Sequence, residues 1–271
     1  MNSHLPAVFK SLRCLVACFG IVLSGCASAS RETVRHGDLN YNVTEVFGAT
    51  PALALAKAAG RGDTVEIARQ LAAGVDINTV GAHWITPLWW VAWVENYDGF
   101  VALLEKGANP NYVRKEGLSL MLYVTRMKDA RFLETVLKHK GDPNLLDRGI
   151  IETPIFRALM LPDRRNLDLL LAAGADLNMQ DEGGWTPAMR AIAAAGEYKI
   201  VWEFLQRGAD PTLKTKNGKT LADIIEFRMI DADSESYVWR GKVIEYLRGK
   251  GIVARRPPNE LPRTKPLPVG R

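Results

Sequence analysis

No cysteine lies beyond residue 26 of this 271-residue chain. Cys14, Cys18 and Cys26 all fall at its start, so the remainder carries neither a disulfide framework nor a cysteine-based metal site. Histidine is nearly as scarce, with His83 and His139 alone in the body. H-E-x-x-H and phosphate-cradling glycine loops are missing, and no nucleophile stands at a useful spacing from a base. No catalytic residue, metal or cofactor is therefore expected, and the chain does not read as an enzyme. An excess of one charge is missing too. The net charge of +5 resides at the ends, with +2 from Lys10 and Arg13 and +4 from the tail after residue 254, which leaves the body at −1. A near-neutral body without a basic stripe excludes nucleic acid as the expected partner. Long apolar runs are also lacking. The best one, residues 14–25, is 12 residues long, against about 20 for a membrane-spanning helix.

That short run has a context. A basic lead, a short apolar core and then small residues make the pattern of a secretory signal peptide. The other reading is a buried helix of the fold. Leu23-Ser24-Gly25-Cys26 resembles the bacterial lipobox. The resemblance implies a thioether-linked diacylglycerol on Cys26, cleavage after Gly25 and acylation of the new amine, palmitate being a typical chain. Ala27 after the cysteine implies the outer membrane, facing the periplasm. An inner-membrane anchor, or cleavage after Ala29 to give a soluble periplasmic protein, are the alternatives. Residues 28–47 are polar, with Arg31, Glu32, Arg35, Gly37, Asp38 and Asn40, and read as a tether. Asn42-Val43-Thr44 matches a glycosylation sequon and is taken as chance.

The body is periodic. Its clearest unit, residues 181–210, runs from Asp181-Glu182-Gly183-Gly184-Trp185-Thr186-Pro187 through two short helices to Gly208-Ala209-Asp210. Thr before Pro is a helix start: the hydroxyl accepts an orphan N–H, and Pro loses nothing at the first helical position. Gly196 separates the helices, and Gly208 is a stop. Ile200, Val201, Phe204 and Leu205 give the second helix a sticky stripe that two helices alone cannot bury. Copies follow at a period of 33 or 34. The closing glycines are Gly74, Gly107, Gly141, Gly174 and Gly208, and the helix starts are Leu53, Thr86, Ser119, Thr153, Thr186 and Thr220. Val75-Asp76-Ile77-Asn78, Ala108-Asn109-Pro110-Asn111, Asp142-Pro143-Asn144 and Ala175-Asp176-Leu177-Asn178 read as turns leading into hairpin loops.

Period and words together resemble the ankyrin repeat. The resemblance covers about three quarters of the chain and implies an all-α solenoid of about six stacked helix pairs with projecting β-hairpin loops. The expected organisation is a leader at 1–25, a lipidated cysteine and tether at 26–49, repeats at 50–252, and a basic, Pro-rich disordered tail at 253–271. One departure stands out. Where the family usually has His two residues after the Pro, this chain has Trp89, Leu122, Phe156, Met189 and Asp223. Apolar packing is expected to replace the imidazole hydrogen bonds. In the last repeat an insertion near residues 229–237 brings Asp231, Asp233, Glu235 and Ser236 together. It lacks the glycine and ligand spacing of a calcium loop and reads as solvated.

The resemblance also implies a protein partner, held by the concave face and the hairpin tips. The residues at those places are His83, Ile85 and Trp93 in repeat two, and Lys115, Glu116, Arg126 and Met127 in repeat three. Glu152 and Met160 follow in repeat four, and Glu182 and Trp185 in repeat five. Exposed aromatics are frequent anchors. For Trp93 the competing reading is packing along its own helix onto Trp89 or Trp90. Three functions stay open at this point: a lipid-anchored binding module, an immunity protein neutralising a secreted toxic enzyme such as a phospholipase, and an envelope scaffold or enzyme accessory.

Overall fold

The computed structural model describes residues 32–36, 39–148, 152–227 and 234–254. The leader with Cys26, residues 229–233 of the expected insertion and the tail from residue 255 lie outside the described residues. The helix pairs fall into two compact units, residues 1–110 and 111–271, taken here in turn.

The first unit opens with an antiparallel hairpin, β1 (Thr33–His36) and β2 (Leu39–Asn42), in which Val34 faces Tyr41. Asn42 then caps helix α1 (Val43–Phe47) by accepting the Thr44 N–H at 2.8 Å. Val43, Val46 and Phe47 lie at i, i+3 and i+4, so one face is apolar, and all three are buried. This corrects the expected tether. Most of residues 32–47 is folded against the repeats, because that short apolar face has somewhere to go. Two helix pairs follow: α2 (Pro51–Arg61) with α3 (Thr64–Ala72), and α4 (Pro87–Trp93) with α5 (Tyr97–Glu105). Helix α2 starts at Pro51 rather than at the expected Leu53, since Thr50-Pro51 is itself a start signal.

The second unit holds four pairs: α6 (Leu120–Thr125) with α7 (Arg131–Lys138), α8 (Pro154–Leu159) with α9 (Arg165–Ala172), α10 (Pro187–Ala195) with α11 (Tyr198–Gln206), and α12 (Leu221–Phe227) with α13 (Glu235–Gly249). First helices α6, α8, α10 and α12 neighbour one another in that order. The insertion was expected to reach Tyr237. Helix α13 already begins at Glu235, because Ser234 caps it by accepting the Tyr237 N–H at 3.3 Å.

Caps and stops work largely as the sequence words require. Thr86, Ser119 and Thr186 accept the N–H of Trp89, Leu122 and Met189. Gly74, Gly107, Gly174 and Gly208 are left-handed. Gly141 is the exception. Lys140 takes the positive φ of 66° instead, and Gly141 is needed for space. A Cβ there would meet Val136 Cγ1 at 2.4 Å and Met121 Cε at 2.6 Å. At the positions where the family has His, Trp89, Leu122, Phe156 and Met189 are buried. Asp223 instead accepts from the Thr220 backbone N–H and hydroxyl, which holds its carboxyl below the usual range.

Asparagine side chains join one repeat to the next. Asn78 Oδ1 accepts the Asn109 N–H at 2.8 Å in the first unit. In the second unit Asn111, Asn144 and Asn178 accept the N–H of Asp142, Asp176 and Asp210, each at 2.7 Å. Two buried asparagines make deeper ties. Asn96 donates to Gly60 O at 3.1 Å, and Asn166 donates to Thr125 O at 2.8 Å and Met127 O at 3.3 Å. Each reaches carbonyls at the end of a neighbouring first helix, groups that the helix itself leaves orphaned.

Removing a buried partner strands the group it served, so Asn166→Ala should cost about 1–3 kcal/mol. The exposed tie of Asn144 should cost about 1 kcal/mol or less on truncation, since water replaces it. Urea unfolding of the two variants checks both the sizes and their order.

Candidate functional site

In the first unit the sequence-derived binding residues separate sharply. Ile85 is fully buried and Trp93 is 5% exposed. Both are corrected here: neither is available to a partner. Trp93 packs edge-on against Trp89, with ring centroids 5.9 Å apart, and lies 5.0 Å from Tyr41 of β2. The hairpin expected to be a tether is what covers it. Ile85 sits directly before the cap Thr86, where the chain turns inward. His83 remains exposed, its ring edge-on to Tyr41 at 5.3 Å.

The residue the sequence reading passed over is Trp84, which is 43% exposed. Both His83 and Trp84 have left-handed backbone, with φ of 55° and 57°. A bulky side chain adopts that conformation only when its surroundings hold it there. The hold is visible: Gly81 donates to Ile85 O at 2.8 Å, and a Cβ on Gly81 would stand 2.5 Å from Val46 O in α1. No local signal marks Trp84, because α1, which packs against residues 82–84, lies outside the repeat.

In the second unit the expected residues do share the ends of neighbouring repeats. Lys115 and Glu116 are exposed at the tip of the first hairpin, where Val113 bridges Ser119. Arg114 beneath them is buried and lies 3.6 Å from Glu116. Burial pushes the nearby Tyr112 phenol above its ordinary pKa. At the end of α6, Arg126 is exposed and Met127 half-buried. Glu152 is half-buried and accepts from Arg157 of α8 at 2.6 Å, and Met160, the C-cap of α8, is 62% exposed.

The best-built part is the hairpin before α10. Asp181 Oδ1 accepts the N–H of Gly183 at 2.8 Å and of Trp185 at 3.0 Å. Its other oxygen accepts from Arg190 Nε at 2.6 Å, and the Arg190 guanidinium lies over the Trp185 ring at 5.0 Å. One carboxylate thus fixes the turn, the arginine and, through it, the indole. Glu182 beside it is exposed. At their N-terminal ends α8 and α10 thus offer arginines already held in place and a half-buried indole, and the C-terminal end of α8 adds an exposed thioether. Such a surface can receive an apolar side chain and direct hydrogen bonds at little ordering cost. Among the described residues no group of three or more His, Cys, Asp or Glu is placed to hold a metal.

No family model matches the chain. It is 30% identical over 177 residues to the ankyrin repeat protein YahD of Escherichia coli strain K12, covering 63% of this chain and 87% of that protein. This chain belongs to the ankyrin repeat family. Solved structures agree on the fold. An ankyrin repeat domain from Acinetobacter baumannii AYE aligns with a TM-score of 0.59 at 24% identity, over 73% of this chain and 97% of that one. A chain from the complex of a Bdellovibrio bacteriovorus predatory endopeptidase with an immunity protein aligns with a TM-score of 0.51, also at 24% identity, over 63% and 89%. Ankyrin repeat proteins mediate protein–protein interaction.

Burial assigns Trp93 to the core. Trp93→Ala should lower stability by about 3–5 kcal/mol, the range for truncating a packed aromatic. Urea unfolding measures the loss, and a change below about 1 kcal/mol would return Trp93 to the surface.

Proposed function

We propose that this chain is a lipid-anchored, periplasm-facing binding module that grips a protein through the α8–α10 surface of its second unit and, separately, through Trp84. One observation carries the binding face: Met160 stands 62% exposed at the end of α8, while the next repeat presents Trp185 clamped by Arg190 and Asp181. Tryptophan and arginine are enriched among binding hot spots. The anchor rests on Leu23-Ser24-Gly25-Cys26 behind its short apolar run. Outer-membrane placement follows Ala27, and the inner membrane or a soluble periplasmic form are its alternatives. The described fold begins at Glu32, whose carboxylate pairs with Lys57 of α2 at 3.1 Å. From Cys26 to Glu32 the chain can reach about 20 Å at most. A lipid on Cys26 would therefore hold the first unit close to the bilayer.

A narrower reading makes the partner a toxic enzyme and this chain its inhibitor. Its support is the likeness in fold to a chain of the endopeptidase–immunity protein complex. An accessory or scaffold of an envelope enzyme is the other form of the same binding function.

Affinity capture with residues 27–271 should retain a single protein partner. Met160→Asp and Trp185→Ala should each weaken it by about 2 kcal/mol or more, with helicity unchanged. Equal retention by both variants would remove this surface from the proposal. Should the captured partner be a hydrolase, loss of its turnover on binding supports the inhibitor, and unchanged turnover refutes it.

The anchor has its own test. Labelled palmitate should enter the wild-type protein, and Cys26→Ser should abolish its incorporation. Label retained by the variant would refute acylation at this cysteine.

A further inference from the structure

The last two second helices carry a feature that the binding face does not use. Along α13, Glu235, Trp239, Lys242 and Tyr246, with Lys250 at its C-cap, follow at spacings of four, three, four and four, which places them on one side of the helix. The other side, with Val243, Ile244 and Leu247, is buried. Helix α11 packs alongside and adds Lys199 and Trp202, three apart on its own outer side. The two stripes meet. Trp202 stands edge-on to Tyr246 with centroids 5.8 Å apart. Lys242 Nζ lies 3.9 Å from the centre of the Trp239 ring, Lys199 Nζ lies 5.8 Å from it on the neighbouring helix, and Lys250 Nζ lies 5.7 Å from Tyr246.

From this juxtaposition we infer that the α11–α13 surface is a docking site for an anionic phospholipid bilayer. Three ammonium groups lie beside Trp239 and Tyr246, half-buried like Trp202, and among the described residues no ion pair joins those lysines to a carboxylate. Glu235 is the acid of the stripe, and it accepts from the Trp239 indole N–H at 3.0 Å. The sequence after Ala254 carries five more cations, Arg255, Arg256, Arg263, Lys265 and Arg271, against Glu260. The complement of such a surface is anionic.

The rings narrow the partner further. Lys242 occupies a face of Trp239 at 3.9 Å, so that face is closed to a stacked base or sugar. What the patch offers is indole and phenol edges beside long apolar lysine stems. That combination suits the headgroup layer, where amphipathic rings sit at the interface and lysines reach for phosphate. Each lysine near an anionic leaflet adds to the attraction, and salt weakens it within a Debye length. The site is independent of Cys26 and stands or falls without the lipid anchor.

The test uses unlipidated protein from residue 27, which keeps every contact described above, with circular dichroism confirming its helices. It should float with vesicles of phosphatidylglycerol and phosphatidylcholine, not with phosphatidylcholine alone, and added salt should release it. The triple variant Lys199→Gln, Lys242→Gln, Lys250→Gln changes only exposed groups and should lower partitioning about tenfold or more. A chain ending at Ala254 should bind more weakly and still lose most of what remains on the triple substitution. Absence of the folded protein from the anionic vesicles overturns the proposal. So does a triple variant that binds like wild type while loss of the tail abolishes binding. Equal capture by a soluble polyanion without flotation assigns the patch to an acidic macromolecule instead, and overturns it as well.

Discussion

The backbone N–H of Asp176 has its acceptor in another repeat: Asn144 Oδ1, 2.7 Å away and 32 residues earlier. Asp142 and Asp210 depend on Asn111 and Asn178 in the same way. Two of these asparagines are themselves set by an acid of their own turn, since the Asn144 and Asn178 N–H groups donate to Asp142 and Asp176 at 2.8 Å. Within the second unit the turns at Asp142 and Asp176 are therefore each positioned by the one before and position the one after. This follows from the size of the unit. A pair of six- to nine-residue helices is too short to be stable alone. It shares its apolar stripe with its neighbours, and the asparagine ladder fixes the register in which that sharing occurs.

Much of this could be read from the sequence because it is local chemistry repeated. Thr-Pro starts a helix and Gly stops one wherever they stand, and repetition at 33 or 34 residues turns weak signals into a strong one. The misreadings that bear on the candidate site occur where a distant residue decides. Tyr41 covers Trp93 and α1 packs against residues 82–84, and nothing within residues 80–94 announces them. Gly141 has the position of a stop, yet crowding by Val136 and Met121 moves the left-handed residue to Lys140. The asparagines themselves stood in plain view as turn formers. Their recurrence at 78, 111, 144 and 178, on the period of the repeat, was the available sign that they serve the stack as well as the turn.

The candidate face was legible in part for the same reason. Position within a repeat predicts which residues lie at a hairpin tip or a helix end, so Met160, Glu152, Glu182 and Trp185 could be named. Position does not tell how a side chain is held. The clamp of Asp181 on Arg190, and of Arg190 on Trp185, joins three residues of one repeat through a turn geometry that sequence spacing does not encode. Exposure of Trp84 likewise depends on a strained backbone that α1 stabilises from outside the repeat.

The cations of the second unit divide into two kinds. On the α8–α10 surface Arg157 and Arg190 are each bound to a carboxylate, Glu152 and Asp181. Their charge is largely cancelled, and their planes are fixed before any partner arrives. Such groups add direction and little long-range attraction, which suits recognition of a particular protein surface. On the α11–α13 surface the lysines lie beside aromatic rings, which hold them weakly and leave their charge intact. Flexible, uncancelled charge attracts without demanding a shape, and a bilayer has charge but no fixed shape to offer. One fold thus presents an ordered face suited to a specific protein and a diffuse cationic face suited to a surface.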